Sequence, residues 1–117
     1  MPPELPSVGQ SGAAPLADLV DYQTDAIVSK VLAKSAVGNV TLFSFAAGQE
    51  LSEHTAPFEA LIYVLDGVAE VGIAAEHHRV NRGELIRLPP AVPHWVKAVQ
   101  PFKMMLIMLR DPGNTPS

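Results

Sequence analysis

Two histidines in this chain are spaced and flanked as residues that could do chemistry. His54 opens the stretch "HTAPFEALIYVLDG", and His94 opens "HWVKAV" after the proline-rich "PPAVP". Neutral imidazole nitrogens suit Zn, Cu, Ni and Fe, and a catalytic zinc site commonly uses three protein ligands with water in the fourth place. Two histidines on separate strands therefore raise the question of a shared, incomplete metal site. Other reactive groups are scarce. The chain has no cysteine, which excludes disulfides, thiolate sites and cysteine nucleophiles. No glycine-rich phosphate loop, serine-centred nucleophile elbow or metalloprotease histidine pair is present. His77 and His78 in "EHHR" are adjacent, so on a strand they face opposite ways, and the stretch reads as a solvated turn.

The elements that must position His54 and His94 are strands. With 117 residues, 48% hydrophobic and 17% charged, the chain is long enough for one modest core. From residue 26 onward, "AIVSKVLAK", "VTLFSFAA", "ALIYVLDG", "AEVGIAA", "HRVNRGELIRLPP", "HWVKAV" and "FKMMLIML" are short, β-branched or aromatic, and punctuated by Gly48, Gly67 and Gly83. No helical period competes, so the fold class is all-β, a sandwich or barrel. The proline-rich ends set the boundaries: residues 1–24 form a flexible tail and edge segment, 25–111 a single barrel domain, and 112–117 a second flexible tail. Within the first, "ADLVDYQ" suits either one helical turn or an edge segment.

"ALIYVL" and "MMLIML" are apolar on both faces, so both faces must be covered. One face lines the interior; the other needs the N-terminal segment or a second subunit, which makes a homodimer the expected assembly. The net charge of −4 is scattered, with no basic stripe for phosphates, so nucleic acid is not an expected partner. No apolar run approaches the ~18 residues that span a bilayer, and the N-terminus lacks the charged and apolar regions of a signal peptide. No membrane partner and a cytoplasmic location are the expectations.

The order of these residues resembles a small single-domain cupin, the double-stranded β-helix or jelly-roll barrel of the RmlC-like type. Gly48, "QELSE", His54 and Gly67 match the opening and close of its first motif; Gly83, "ELIRL", Pro89 and His94 match its second. The resemblance spans roughly residues 26 to 110. It implies an inward metal site of three histidines and a glutamate, but here the second histidine falls on Ala56 and the glutamate on Ala60. The second motif's glycine falls on Ala91 and its asparagine on Ala98. By strand alternation Glu59 faces away from Ala60 and is expected as an outward or rim carboxylate; it replaces the missing ligand only if a bulge reverses the register. Glu53 is either a partner that orients His54 or a charge at the rim.

The expected site therefore has His54 and His94 as metal ligands, with Ala56, Ala60, Ile62 and Ala98 lining an apolar pocket. One weakly held divalent transition metal (Zn, Ni, Fe or Mn) and a metal-free ligand pocket both fit these residues, and inert histidines are the third reading. The expected function is small-molecule binding, with specificity undefined. The alternative is a metal-dependent enzyme, oxygenase- or isomerase-like, acting on a small organic substrate.

Overall fold

The computed structural model describes residues 12–110. Among these residues nine strands follow a single turn of 3-10 helix at Leu16–Leu19. They are β1 (Ile27–Ser35), β2 (Gly38–Phe45), β3 (Glu50–His54), β4 (Glu59–Asp66), β5 (Val68–Ile73), β6 (Glu76–Asn81), β7 (Leu85–Leu88), β8 (His94–Lys97) and β9 (Phe102–Leu109). A five-stranded sheet runs β1-β2-β9-β4-β7 and faces a four-stranded sheet ordered β3-β8-β5-β6. Every pairing is antiparallel. This is the all-β sandwich or barrel expected from the spacing of apolar runs and turns, in the jelly-roll form that the resemblance implies.

Alternation assigns the faces. On β9, Phe102 and Met104 point inward with Ile62 and Val64 of β4 and Phe45 of β2, and all are almost fully buried. Phe45 and Phe102 stack with ring centroids 4.5 Å apart, anchoring one end of the core. The β4–β5 turn is set by Gly67, whose φ of +74° carries the chain past Pro101. A Cβ there would lie 2.4 Å from the Pro101 carbonyl oxygen, so only glycine fits.

The outer face of the five-stranded sheet holds a second apolar cluster of Leu19, Val20 and Leu42, joined by Val28, Leu32, Leu65 and Met105. The second apolar face of "ALIYVL" and "MMLIML" is thus covered in part by the chain's own N-terminal segment. That segment is latched by polar contacts. Lys103 Nζ donates to the Ala17 carbonyl at 2.7 Å and lies 4.9 Å from the Tyr22 ring centroid. Ser44 Oγ donates to the Asp21 carbonyl at 2.7 Å, and the Tyr22 hydroxyl donates to Asp66. Of residues 1–24, expected as a tail and edge segment, the part from Leu16 onward is docked in this way; residues 1–11 and the second tail, 112–117, lie outside the described residues.

One expectation is corrected. Glu76–Arg79, read as a solvated turn, belongs to strand β6, and the turn is the Ala74-Ala75 pair before it, with Ala74 at φ +54°. No glycine or asparagine marks that turn, so the sequence hides it. Glu50–His54 forms strand β3, whose mostly exposed side chains give no apolar alternation to detect.

Candidate metal and ligand site

The site is built where β3 pairs with β8. His54 and His94 stand opposite each other in the ladder, and the register shifts between Leu51 and His54. Leu51 faces inward across from Val96; strict alternation from there would turn residue 53 inward. The bulge inserts one residue and delivers His54 to the cavity instead. His94, at 7% exposure, lies at the inner side of the mouth, and His54 is exposed at its outer side.

The two rings meet edge to face, with centroids 4.4 Å apart and an interplanar angle of 70°. Their Nε2 atoms are 3.1 Å apart. Each Nδ1 faces the carbonyl oxygen two residues earlier in the chain: His54 faces Ser52 at 2.7 Å, and His94 faces Val92 at 3.2 Å. A carbonyl oxygen only accepts, so each Nδ1 must carry the proton and donate. In the neutral rings both Nε2 atoms then present lone pairs to each other. Such a contact is completed by a cation, a proton or a ligand donor between them. Burial holds the His94 pKa below its ordinary value; the His54 charge adds to this, and the Val92 carbonyl opposes it.

A metal fits the histidine half of this arrangement. Nitrogens 3.1 Å apart, each ~2.0–2.1 Å from a common zinc-sized ion, subtend about 100° at it, which suits neighbouring coordination positions. The rest of the shell is not supplied by oxygen donors. Ala56 and Ala60 line the cavity with Ile62 beside them, as do Leu88, Leu106 and Met108. Among the described residues no group of three or more His, Cys, Asp or Glu is placed to hold an ion.

Ala98 stands apart. It is fully buried further along the barrel, exchanging backbone hydrogen bonds with Gln49 and Gly48. Glu59 turns outward and pairs with Arg87. Glu53 is exposed and does not hold the His54 ring, whose Nδ1 is taken by Ser52.

The cavity is small, about 60 Å³, or about two waters at ~30 Å³ each. The alanines therefore do not open a large hollow, because Leu88, Leu106, Met104 and Met108 fill the space behind them. These residues, together with Leu51 and the rim residue Phe58, carry no motif signal, though the inward parity of Met104 and Met108 follows from that of Phe102. Arg110 lies 4.7 Å from the Phe58 ring centroid and closes that side of the rim. A hollow of about 150 Å³ lies elsewhere, on the outer face of the four-stranded sheet beside Val68, Glu70, Arg79 and Gln100. It is remote from the histidine pair, and Glu70 beside it is already bonded to Arg79 and His77.

Ala91 ties the two motifs together. It adopts φ +61°, a left-handed conformation that suits the glycine of the resembled motif, and its N–H donates to the Ala56 carbonyl at 2.8 Å. An alanine thus holds a conformation that a glycine would adopt without strain, at a cost of roughly 1–2 kcal/mol.

Comparison with known proteins agrees with this architecture. The cupin-domain profile matches residues 41–109, more than half the chain, and the protein belongs to that family. A conserved protein of unknown function from Streptococcus pyogenes is similar at 31% identity, with a TM-score of 0.83 over 89% of this chain and 91% of that one. A cupin superfamily protein from Desulfitobacterium hafniense shares 28% identity, with a TM-score of 0.83 over 93% of this chain and all (100%) of the other. A cupin 2 conserved barrel domain protein from Leptotrichia buccalis shares 38% identity and a TM-score of 0.78 over 81% of this chain, but only 46% of its own. No curated protein matches the sequence.

Proposed function

We propose that this cupin binds a small molecule at the mouth of the barrel, over a weak two-histidine metal site. The observation that carries the reading is the pair of Nε2 lone pairs converging at 3.1 Å, each ring fixed by a backbone carbonyl. Fixing the far nitrogen of a ligating histidine sets its tautomer and orientation, as metal sites require. A bound metal would supply Lewis acidity and open coordination positions. His54 and His94 would hold it, and the apolar wall would exclude water on the inner side. With about 60 Å³ behind the histidines, a ligand inserts only a few atoms and lays the rest across Phe58 at the rim. The enzyme alternative gains nothing from the lining, which offers no acid, base or nucleophile beside the two imidazoles.

A homodimer is part of the proposal. Beyond the N-terminal cover, Leu85 and Leu109 stay exposed on the outer face of the five-stranded sheet, next to the half-buried Tyr63 and Ile107. Sedimentation at two loading concentrations tests it: an invariant monomer mass removes the dimer.

The metal reading is tested by titrating tag-free, ¹⁵N-histidine-labelled protein with Ni²⁺ and Zn²⁺. The ring signals of His54 and His94 should respond together, and His54→Ala should abolish the response. If His77 and His78 respond instead, the site is elsewhere.

A further inference from the structure

We infer that the ion suited to this cavity is monovalent copper, Cu(I), with the Met108 thioether as third donor beside His54 and His94. This rests on the metal reading above and names its ion, which differs from the divalent ions that two histidines alone suggest.

The donor inventory comes first. Of the side chains lining the cavity, those bearing a nitrogen, oxygen or sulfur are His54, His94, Met104 and Met108. Zinc, nickel and iron also accept imidazole but complete their shells with carboxylate, water or thiolate, and manganese prefers oxygen donors, whereas a neutral thioether beside two imidazoles favours Cu(I). Charge points the same way. The lining is formally neutral, and the self-energy of an ion in an apolar enclosure scales with the square of its charge. A monovalent ion therefore meets about a quarter of the penalty that a divalent one does.

Position selects between the two methionines. Met108 is the cross-strand partner of Ala60 on β4 and of Asn39 on β2, so it stands beside the small alanine rather than beside a carboxylate. Met104 lies further along β9, opposite Val64, and is almost fully buried. The Met108 Sδ accepts from Asn39 Nδ2 at 3.9 Å, a weak contact that an ion readily replaces. Its unbranched side chain can swing to a donor position without moving the strand.

The experiment uses full-length, tag-free protein titrated anaerobically with Cu(I) against the chromophoric chelator bicinchoninate, and separately with Zn²⁺. Wild type is compared with Met108→Leu, Met104→Leu and His54→Ala; Met-to-Leu exchanges conserve volume and keep the core folded. Wild type should take up Cu(I) at least tenfold more tightly than Met108→Leu, while their Zn²⁺ affinities stay equal. X-ray absorption of the copper complex should show a sulfur neighbour that Met108→Leu lacks. Equal Cu(I) affinity in wild type and Met108→Leu overturns the inference, as does weakening by Met104→Leu alone. Tighter binding of Zn²⁺ than Cu(I) overturns the choice of ion and leaves the two-histidine reading standing. No response of His54 and His94 to either ion overturns both.

Discussion

Two buried polar groups on opposite faces of the same four-stranded sheet make an instructive pair. On the outer face Glu70, 8% exposed, accepts from Arg79 Nε at 3.3 Å and from His77 Nε2 at 3.2 Å. Its register neighbours extend the pattern: Glu50, Lys97, Glu70 and Arg79 follow one another across β3, β8, β5 and β6 with alternating sign. Opposite charges in directly facing positions stabilise a sheet. On the inner face His94, 7% exposed, meets His54, and both present the same kind of atom. The first arrangement is complete within the chain; the second becomes complete only when something is added. A histidine serving the fold finds an acceptor for its proton. On the proposed metal reading, the inner histidines are held with their acceptor nitrogens free for an ion.

The largest effect should come from finishing the second arrangement from within. Ala56→His with Ala60→Glu adds an imidazole and a carboxylate to the wall that already holds the pair. Divalent-metal affinity should rise by orders of magnitude, and the thermal midpoint should become metal-dependent, by about 2.7 kcal/mol at a hundredfold excess over Kd. Isothermal titration of wild type and double mutant with Mn²⁺, Fe²⁺, Ni²⁺ and Zn²⁺ checks this. Equal affinities would mean that the alanines do not share the histidines' face.

Truncation should separate the two arrangements in stability. Glu70→Ala removes the acceptor of two hydrogen bonds, one of them from a guanidinium, and should cost about 1–3 kcal/mol in urea unfolding. His94→Ala gives up a single bond to Val92 beside a solvent-reached mouth and should cost less than about 1 kcal/mol. A larger loss from His94→Ala than from Glu70→Ala would reverse the assignment of roles.

Much of this was legible before the structure, for a physical reason. Period-two patterning places most of the strands, and Gly48, Gly67, Gly83 and Pro89 fix where the two motifs fall, so the histidines could be paired across forty residues of chain. What stayed hidden does not repeat. The bulge between Leu51 and His54 lies in a polar edge strand, where no apolar alternation shows a slip. The N-terminal segment is one of the two covers expected, but the choice between them turns on Leu19 and Val20 meeting Leu42 and Met105, which are distant in sequence. Glu70 alternates like a solvent-facing residue, and its burial comes from neighbours on two other strands.

Acid should act on the inner pair with a definite sign. Because burial lowers the folded-state pKa of His94, the unfolded chain binds more protons just below pH ~6.5. Stability contributed by the neutral ring is therefore intact above that pH and declines as pH falls toward the depressed folded value. Chemical denaturation at pH 7.5 and 5.5 should show a smaller drop for His94→Gln than for wild type. An identical drop would locate the acid sensitivity in other groups.

The smallest effect belongs to the carboxylate that faces the wrong way. Glu59→Gln breaks an exposed pair with Arg87 and should change stability by less than about 1 kcal/mol, with no change in metal affinity. Weaker metal binding in that variant would bring Glu59 into the site and make the inner arrangement less open than described.

One consequence of the outer face is optical. Trp95 is the chain's one tryptophan, and its indole lies over Gly72, where an added Cβ would fall 2.0 Å from the ring. The His77 ring, on the strand beyond Gly72, lies with its centroid 5.3 Å from that of the indole. Indole emission therefore reports the seating of β8 on β5 and β6, on the side of the sheet away from the cavity. An unfolding curve followed by fluorescence is a curve for those three strands. It describes the whole barrel only where it superimposes on the far-ultraviolet dichroism of the five-stranded sheet.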